Sequence, residues 1–315
     1  MKKSNSMKSL TFAIAIAGLI SFTACEKDDN NISGNGNTEF KVTDAPVDDA
    51  SVTGAFVTIS DIKLDGQSLQ GFSKTTVDLN AYRNGNTKTI GNFNLDSKTY
   101  NSITFVLDYE TDQSGNTPGS YVVTTGGVKH KLQSNSNTIN VSKSIAIDGN
   151  ASNSIVADFD LRKMIVAQSG SDKYDFATAA ELGNSIRVVK ESNTGTISGT
   201  ISDNVSGSGK VVAYAYKKGT YNRTAEMQAQ GSSGIYFKNA VSSSAVNNGT
   251  YSLHFLENGD YEVHFASYKD TNSDGVYELQ GTLIVTAVGD IDLLGLTLGT
   301  NATLNANGTV TGILP

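Results

Sequence analysis

The sequence predicts an all-β protein with two antiparallel β-sandwich domains, preceded by a signal peptide and a short flexible tether. Only 17% of the 315 residues are charged and glycine occurs 31 times, a composition that favours strands joined by tight turns over helices. Many short runs alternate apolar and polar residues, which is the period of a strand with one buried face. Turn-forming pairs such as Asn84-Gly85 and Gly126-Gly127 separate these runs.

The beginning of the chain is typical of a secretory signal peptide, predicted over residues 1–24. Three lysines within the first nine residues precede a nearly continuous apolar run over 10–22, and small residues follow it. A helix of that length spans about 20 Å, whereas a bilayer core is roughly 30 Å thick. The segment is therefore predicted to direct export rather than to cross the membrane.

Cys25 is the only cysteine, which excludes an internal disulfide. Phe22-Thr23-Ala24-Cys25 resembles a bacterial lipobox, with Phe22 at the position where leucine is more usual. The resemblance implies cleavage before Cys25 and its lipidation by palmitate-type chains, in which each buried CH₂ contributes about 0.8 kcal/mol to membrane anchoring. An ordinary secreted protein with a chance cysteine is the alternative.

Residues 25–38 are predicted to form the lipidated cysteine and a flexible linker, because they are poor in apolar residues and rich in asparagine and glycine. The acidic start of this linker, over residues 26–29, resembles the surface-export signal of Bacteroidetes-type lipoproteins. The resemblance implies an outer-membrane lipoprotein exposed at the cell surface. A periplasm-facing lipoprotein is the second choice.

Strand-like alternation predicts the first sandwich over residues 39–192. Apolar residues of one parity recur in several runs, which include 103–107 and 155–161. A change of parity within 55–64 predicts a β-bulge near Ser60, which would restore a single buried face. Sequential strands without helical crossovers indicate an antiparallel sandwich.

Several phrases in this half resemble the domain-of-unknown-function 4382 family of bacterial lipoproteins. The phrases are Val42-Thr43-Asp44-Ala45-Pro46, Val57-Thr58-Ile59-Ser60, Val77-Asp78-Leu79, Tyr100-Asn101-Ser102-Ile103, Asp158-Phe159-Asp160-Leu161 and Ile186-Arg187-Val188-Val189. The resemblance covers about half of the chain and implies a location and a β architecture. It brings no established activity, so it assigns no catalytic residue.

Three aspartates in these phrases are candidates for a cation site. Asp158 and Asp160 share the strand face opposite Phe159, so their carboxylates could converge on a cation together with Asp44. The alternative is that Asp44 organises a turn before Pro46 while the pair faces solvent.

A new series of strands predicts the second sandwich over residues 193–315. The alternating runs 251–255 and 261–265 flank the turn sequence at 257–260, which predicts a β-hairpin. Short phrases here resemble carboxypeptidase-regulatory-like and prealbumin-like modules. That resemblance implies an Ig-like sandwich of seven strands or a similar number.

The segment from 270 to 278 matches the front half of a calcium-binding loop, with oxygen-bearing side chains at positions 1, 3 and 5 and glycine at position 6. The candidate calcium ligands are Asp270, Asn272, Asp274, Val276 and Glu278. Gly281 stands where an EF-hand needs a bidentate glutamate, so the site is not an EF-hand. A turn without metal is the alternative, because the same residue types form turns.

The predicted hairpin would place His254 and His264 diagonally on its outer face, where the two rings could hold zinc or copper with Glu262. Solvated surface histidines are the alternative. His130 lies between two lysines and needs no special role.

The composition and the missing motifs favour a protein that is not an enzyme. The formal net charge of −7 becomes −10 without the three leader lysines, with 21 basic against 31 acidic groups, which argues against a nucleic-acid partner. G-x-S-x-G and HExxH motifs are missing. The preferred hypothesis is a non-enzymatic binding or accessory module, held at the membrane by its lipid and contacting an extracellular protein or glycan. The alternatives are a structural spacer or assembly subunit, and a carboxylate-based polymer-degrading enzyme.

Overall fold

Strands dominate the computed structural model, in which the described residues are 56% strand and 7% helix, so the all-β prediction is confirmed. The structure describes residues 34–45, 51–168, 174–205, 207, 209–273 and 277–315. The signal peptide and Cys25 lie outside the described residues. No helix within the described ranges is long and apolar enough to cross a membrane.

The first half of the chain forms two sheets and two single-turn helices, α1 and α2. The elements are β1 (Asn35–Ala45), β2 (Val52–Leu64), β3 (Gln67–Ser68), β4 (Thr75–Asp78), β5 (Lys88–Asp96), β6 (Thr99–Leu107), β7 (Tyr121–Thr124), β8 (Lys129–Lys131), β9 (Thr138–Ala146), β10 (Ser152–Asp160), α1 (Leu161–Met164), β11 (Ile165–Ala167), β12 (Tyr174–Phe176), α2 (Ala179–Leu182) and β13 (Ile186–Lys190). Strands β11 and β12 pair with each other in a separate two-stranded sheet.

The two sheets of the first half have the orders β13-β10-β1-β5 and β8-β7-β2-β6-β9, with β3 and β4 also paired to β2. Their inner faces share one core, in which Phe105 packs edge-to-face on Phe159. The predicted bulge is confirmed, because the β2–β6 register shifts between Ile59 and Asp61. The antiparallel prediction is wrong for one ladder of this half, since β1 and β10 run parallel, and for two ladders of the second half, described below. All the strands of the second sheet lie between them in sequence, so no hairpin constrains their direction.

The second half forms one large sheet that folds over its own core. The elements are β14 (Thr194–Ser202), β15 (Lys210–Lys217), α3 (Arg223–Glu226), β16 (Ser242–Ala245), β17 (Thr250–Glu257), β18 (Gly259–Lys269), β19 (Glu278–Ala287), β20 (Leu296–Leu298), β21 (Thr303–Asn305) and β22 (Gly308–Leu314). The order is β16-β15-β18-β19-β22-β14-β17, with β20 on β18 and β21 on β14.

The predicted hairpin of β17 and β18 is wrong. Strand β17 pairs with β14, whereas β18 pairs with β15, β19 and β20. Leu253 of β17 and Phe265 of β18 are both fully buried in the same core. Two strands show this pattern of buried residues whether they pair with each other or face each other across the core. Gly259, with φ of +139°, lets the chain turn between the two strands.

An excursion between β15 and β16, residues 218–241, covers the outer face of these strands, and we call it the strap. Its Phe237 ring stacks on Tyr214 of β15 at 4.2 Å between centroids. The fully buried Glu226 carboxylate accepts hydrogen bonds from the Tyr216 hydroxyl at 2.8 Å and from the Asn239 backbone N–H at 3.2 Å. The strap therefore has an aromatic core of its own and a buried acid that organises it.

The two halves have separate hydrophobic cores, drawn from residues 40–188 and from residues 197–310. A 3-10 turn, Glu191–Asn193, connects β13 to β14 between them. The described residues nevertheless form one compact unit, and polar contacts join the two halves.

Candidate functional site

The halves meet at a polar contact region, which we call the joint. Strand β10 ends at Asp160, and the single turn of α1 carries the next residues away from the sheet. The joint consists of the first-half residues Asp158, Asp160, Arg162, Lys163 and Arg187 and of main-chain carbonyls in the second half. A strand end followed by a tight helical turn thus projects charged side chains towards the strap.

Asp160 is the centre of the first ion-pair group. Its Oδ2 lies 2.9 Å from Arg162 Nη2 and 3.3 Å from Lys163 Nζ. Arg162 also donates to the carbonyl of Phe237 at 3.1 Å, and Lys163 donates to the carbonyl of Ala240 at 2.6 Å. All three charged side chains are nearly buried, so each needs these partners to offset its lost hydration.

Arg187 forms the second ion-pair group. Its Nη2 lies 2.6 Å from Asp158 Oδ2 and donates to the carbonyl of His254 at 3.1 Å, while Nη1 donates to the carbonyl of Phe255. The guanidinium therefore connects strand β10 of the first half to β17 of the second. Its planar fork suits a carboxylate and carbonyls at the same time.

Asp44 lies beside these pairs and differs from them. Its Oδ1 accepts a hydrogen bond from the backbone N–H of Leu161 at 3.2 Å. Burial, reinforced by the nearby charge of Asp158, raises the pKa of Asp44 well above its ordinary value. This carboxyl group therefore favours its neutral form more than an exposed aspartate does.

The three aspartates are thus brought together, but not as the sequence suggested. Asp158 and Asp160 are buried rather than solvent-facing, and their charges are balanced by basic side chains. Among the described residues, no group of three His, Cys, Asp or Glu side chains could hold a metal ion. The proposed turn before Pro46 involves a residue outside the described ranges.

A further contact joins α2 to the strap. The Glu181 carboxylate accepts hydrogen bonds from the hydroxyls of Thr178 at 2.7 Å and Ser233 at 2.5 Å. Partial burial raises its pKa, but these bonds outweigh that effect and lower the pKa to about 2. Glu181 therefore stays ionised and links the two halves.

A cavity of about 700 Å³ opens beside the joint, within the roughly 300–1,000 Å³ range of ligand-binding pockets. Both halves contribute to its wall. The charged and polar residues that line it include Lys143, Lys163, Arg187, Lys238, Asp158, Asp160, Asn140, Asn184, Asn239, Ser142, Ser185 and Ser242.

The chemistry of this wall suits binding better than hydrolysis. Carboxylate-based glycoside cleavage needs one acid that keeps a proton and a second that acts as base or nucleophile. Asp158 and Asp160 are instead each in contact with a basic side chain. The amides and hydroxyls of the wall are neutral hydrogen-bonding groups, which orient a ligand without reacting with it.

Sequence reasoning identified the aspartates and missed their partners Arg162, Lys163 and Arg187. A signal was present, because charges that follow a buried apolar run at the end of a strand must be paired or solvated. The alternation in 155–161 predicted the burial of the apolar residues, and it could not predict a protein surface on the opposite face.

The candidate calcium loop lies between β18 and β19. Asp274 and Val276 fall outside the described residues. Glu278 accepts hydrogen bonds from the backbone N–H of Thr271 at 3.0 Å and from its hydroxyl at 2.9 Å, so its carboxylate closes the turn. Calcium binding by this loop stays a prediction.

The two histidines occupy different environments. His254 Nδ1 lies 3.3 Å from the Thr196 hydroxyl, and His264 stacks on Tyr221 at 3.6 Å between ring centroids. Both rings are half-buried rather than solvated, and burial lowers the pKa of each. His264 Nε2 lies 3.4 Å from Glu262, which is a pair and not a complete metal site.

Comparison with known families confirms one resemblance. Residues 35–177 match the model of a domain of unknown function (DUF4382), which covers β1 to β12. A search of curated proteins finds no significant match.

Three solved structures give weak similarities. The TIE protein of Bacillus anthracis is 12% identical over 88% of this chain and 35% of that chain, with a TM-score of 0.19. The major pilin protein of Streptococcus pyogenes is 13% identical over 89% and 98% of the two chains, with a TM-score of 0.17. The fimbrial anchor protein Mfa2 of Porphyromonas gingivalis is 10% identical over 76% and 80%, with a TM-score of 0.19. This chain spans only about a third of the first protein, and TM-scores this low establish no shared architecture.

Proposed function

We propose that this chain, whose residues 35–177 match a family of unknown function, is a lipid-anchored module of the outer-membrane surface that acts by binding and not by catalysis. The observation that supports it best is the joint, where a cavity between the halves is lined by acids already balanced by bases. An extracellular protein or glycan is the expected class of partner.

Anchoring is expected to depend on Cys25. In the Cys25→Ala variant the acylated thiol is lost, and with it the apolar chains that hold the protein in the bilayer. We expect nearly all of the protein to move from the membrane fraction to the soluble fraction, measured by fractionation and immunoblotting. The matched control is Ser33→Ala in the same linker, which should stay with the membranes. An unchanged distribution of Cys25→Ala would exclude lipidation as the anchor.

Binding is expected to require an open cavity. Asn184 is exposed on the cavity wall and takes no part in the ion pairs, so Asn184→Trp should fill the space without disturbing the joint. Against a panel of surface polysaccharides and short glycans, we expect at least a tenfold loss of affinity for the ligands that the native protein binds. Asn94→Trp, on the exposed face of β5, is the control and should bind normally.

The same incubations separate binding from turnover. Bound glycans recovered after prolonged contact should be unchanged in length when analysed by chromatography. Shortened products that disappear in Asn184→Trp would instead support the polymer-degrading alternative. A panel without any ligand sensitive to Asn184→Trp would contradict the proposed function.

An assembly or spacer subunit is the second candidate, favoured by one observation. Of the seven exposed large hydrophobic side chains among the described residues, four lie in the last part of the second half. They are Ile284, Val288, Leu294 and Leu314. A self-association that grows with concentration in light scattering, and that Ile284→Ser abolishes, would favour this candidate.

A further inference from the structure

The cavity beside the joint has more basic than acidic side chains on its wall. Four basic residues line it against two acidic ones: Lys143, Lys163, Arg187 and Lys238 against Asp158 and Asp160. Each of the four basic groups also has a carboxylate nearby, at distances from 2.6 to 3.8 Å. The ability of a basic group to bind an anionic ligand therefore depends on how closely it is already paired within the protein.

Three of the basic groups are occupied by protein partners. Lys143 Nζ lies 2.6 Å from Glu257. Lys163 and Arg187 are engaged at the joint, as described above. The charges of these three are compensated by their acidic partners, and their hydrogen-bonding capacity is largely used within the protein.

Lys238, on the strap, is different. Its nearest acidic atom is Glu181 Oε1 at 3.8 Å, which is beyond hydrogen-bond distance. Glu181 receives its hydrogen bonds from two hydroxyls, so Lys238 is its ion-pair partner but is not hydrogen-bonded to it. The Lys238 side chain keeps 29% of its surface exposed, so its ammonium group can approach a ligand in the cavity.

Neutral polar groups stand on the same wall. Asn140, Ser142 and Asn184 line the cavity and are exposed. Amides and hydroxyls both donate and accept hydrogen bonds, which matches the hydroxyl groups of a sugar. One available ammonium beside three neutral polar groups corresponds to a ligand with few carboxylates and many hydroxyls.

We propose that this cavity binds an acidic oligosaccharide, with a uronic-acid carboxylate paired to Lys238 and sugar hydroxyls bonded to Asn140, Ser142 and Asn184. The inference rests on the proposed function and adds the ligand class to it. An acidic peptide fits less well, because it has no hydroxyl-rich ring for the neutral part of the wall.

The test uses titration calorimetry to compare two trisaccharides of different charge and an acidic peptide. The probes are tri-galacturonic acid, the neutral galactotriose and a penta-glutamate peptide, each with the purified mature protein. We expect the acidic trisaccharide to bind at least tenfold more tightly than the neutral one, with an affinity that falls as salt increases. Lys238→Met should weaken it about tenfold, while Lys88→Met, an exposed lysine of β5, should leave it unchanged.

The outcomes separate this inference from the function on which it rests. Equal affinity for acidic and neutral trisaccharides, with both lost in Asn184→Trp, would overturn the acidic ligand and keep the binding function. Equal or tighter binding of penta-glutamate would overturn the sugar assignment. Unchanged affinity in Lys238→Met, with native melting behaviour, would overturn the role of that ammonium group. Lys238→Arg keeps the charge and should retain most of the affinity.

Discussion

Replacing Arg162 with methionine is expected to destabilise the folded protein by about 3–5 kcal/mol, the usual effect of removing one partner from a buried ion pair. Methionine keeps much of the volume and removes the guanidinium. Asp160 would lose its closest partner, at 2.9 Å, and the carbonyls of Tyr236 and Phe237 would lose a donor. Urea unfolding at pH 7, followed by circular dichroism, measures the difference in unfolding free energy.

The double variant Arg162→Met with Asp160→Asn measures how the charge of Asp160 affects stability once Arg162 is absent. Lys163 still pairs with Asp160 in Arg162→Met, at 3.3 Å. Removing the charge of Asp160 as well leaves the buried Lys163 ammonium without a carboxylate, so the double variant should be less stable than Arg162→Met alone. Arg83→Met, at an exposed position, is the control and should change stability by less than about 0.5 kcal/mol. If Arg162→Met behaves like the control, the joint contributes nothing to holding the halves together.

Replacing Glu226 with alanine is expected to cost about 3 kcal/mol and to loosen the strap, because it leaves buried donors unsatisfied and opens a cavity. The Tyr216 hydroxyl and the Asn239 backbone N–H would lose their acceptor. Hydrogen exchange should accelerate at the backbone N–H of Phe237, which is bonded to the carbonyl of Glu226.

Glu226→Gln provides the matched comparison, since glutamine keeps the shape and one acceptor oxygen. Its NH₂ group replaces the oxygen that accepts a hydrogen bond from the Asn239 side chain. It should therefore cost about 1–2 kcal/mol, less than alanine, and leave exchange in the strap closer to native than alanine does. Strands β1 to β9 should keep native exchange in both variants. If exchange accelerated in β1 to β9 as much as in the strap, Glu226 would support the stability of the whole protein and not of the strap in particular.

The fold class was predictable because period-two burial is a local property. The bulge in β2 followed from the parity of Val57 and Ile59 against that of Ile62, and the structure has a register shift at that place. The parallel pairing of β1 with β10 was not predictable, because no turn connects the two strands. The hairpin prediction failed for a related reason, since alternation in β17 and β18 specifies a buried face and not a neighbour.

The strap and the contacts of the joint could not be predicted from the sequence, for a different reason. Residues 218–241 lack a regular apolar period, and their order depends on packing against Tyr214 and on Glu226. The contact between Arg162 and Phe237 joins residues 75 positions apart. The sequence indicated Asp158 and Asp160 as candidates, and their basic partners belong to the same half. The burial of these pairs depends on second-half carbonyls that contact the basic groups, which local patterns do not predict.

Strand β22 lies between β19 and β14 in the sheet of the second half. Its neighbour β14 is synthesised about a hundred residues earlier, so translation of this half is nearly complete before its sheet can close. Pairings between such distant segments form slowly. Until β22 has been made, the edges of β19 and β14 that it will cover stay unpaired, and unpaired strand edges are open to association with other chains.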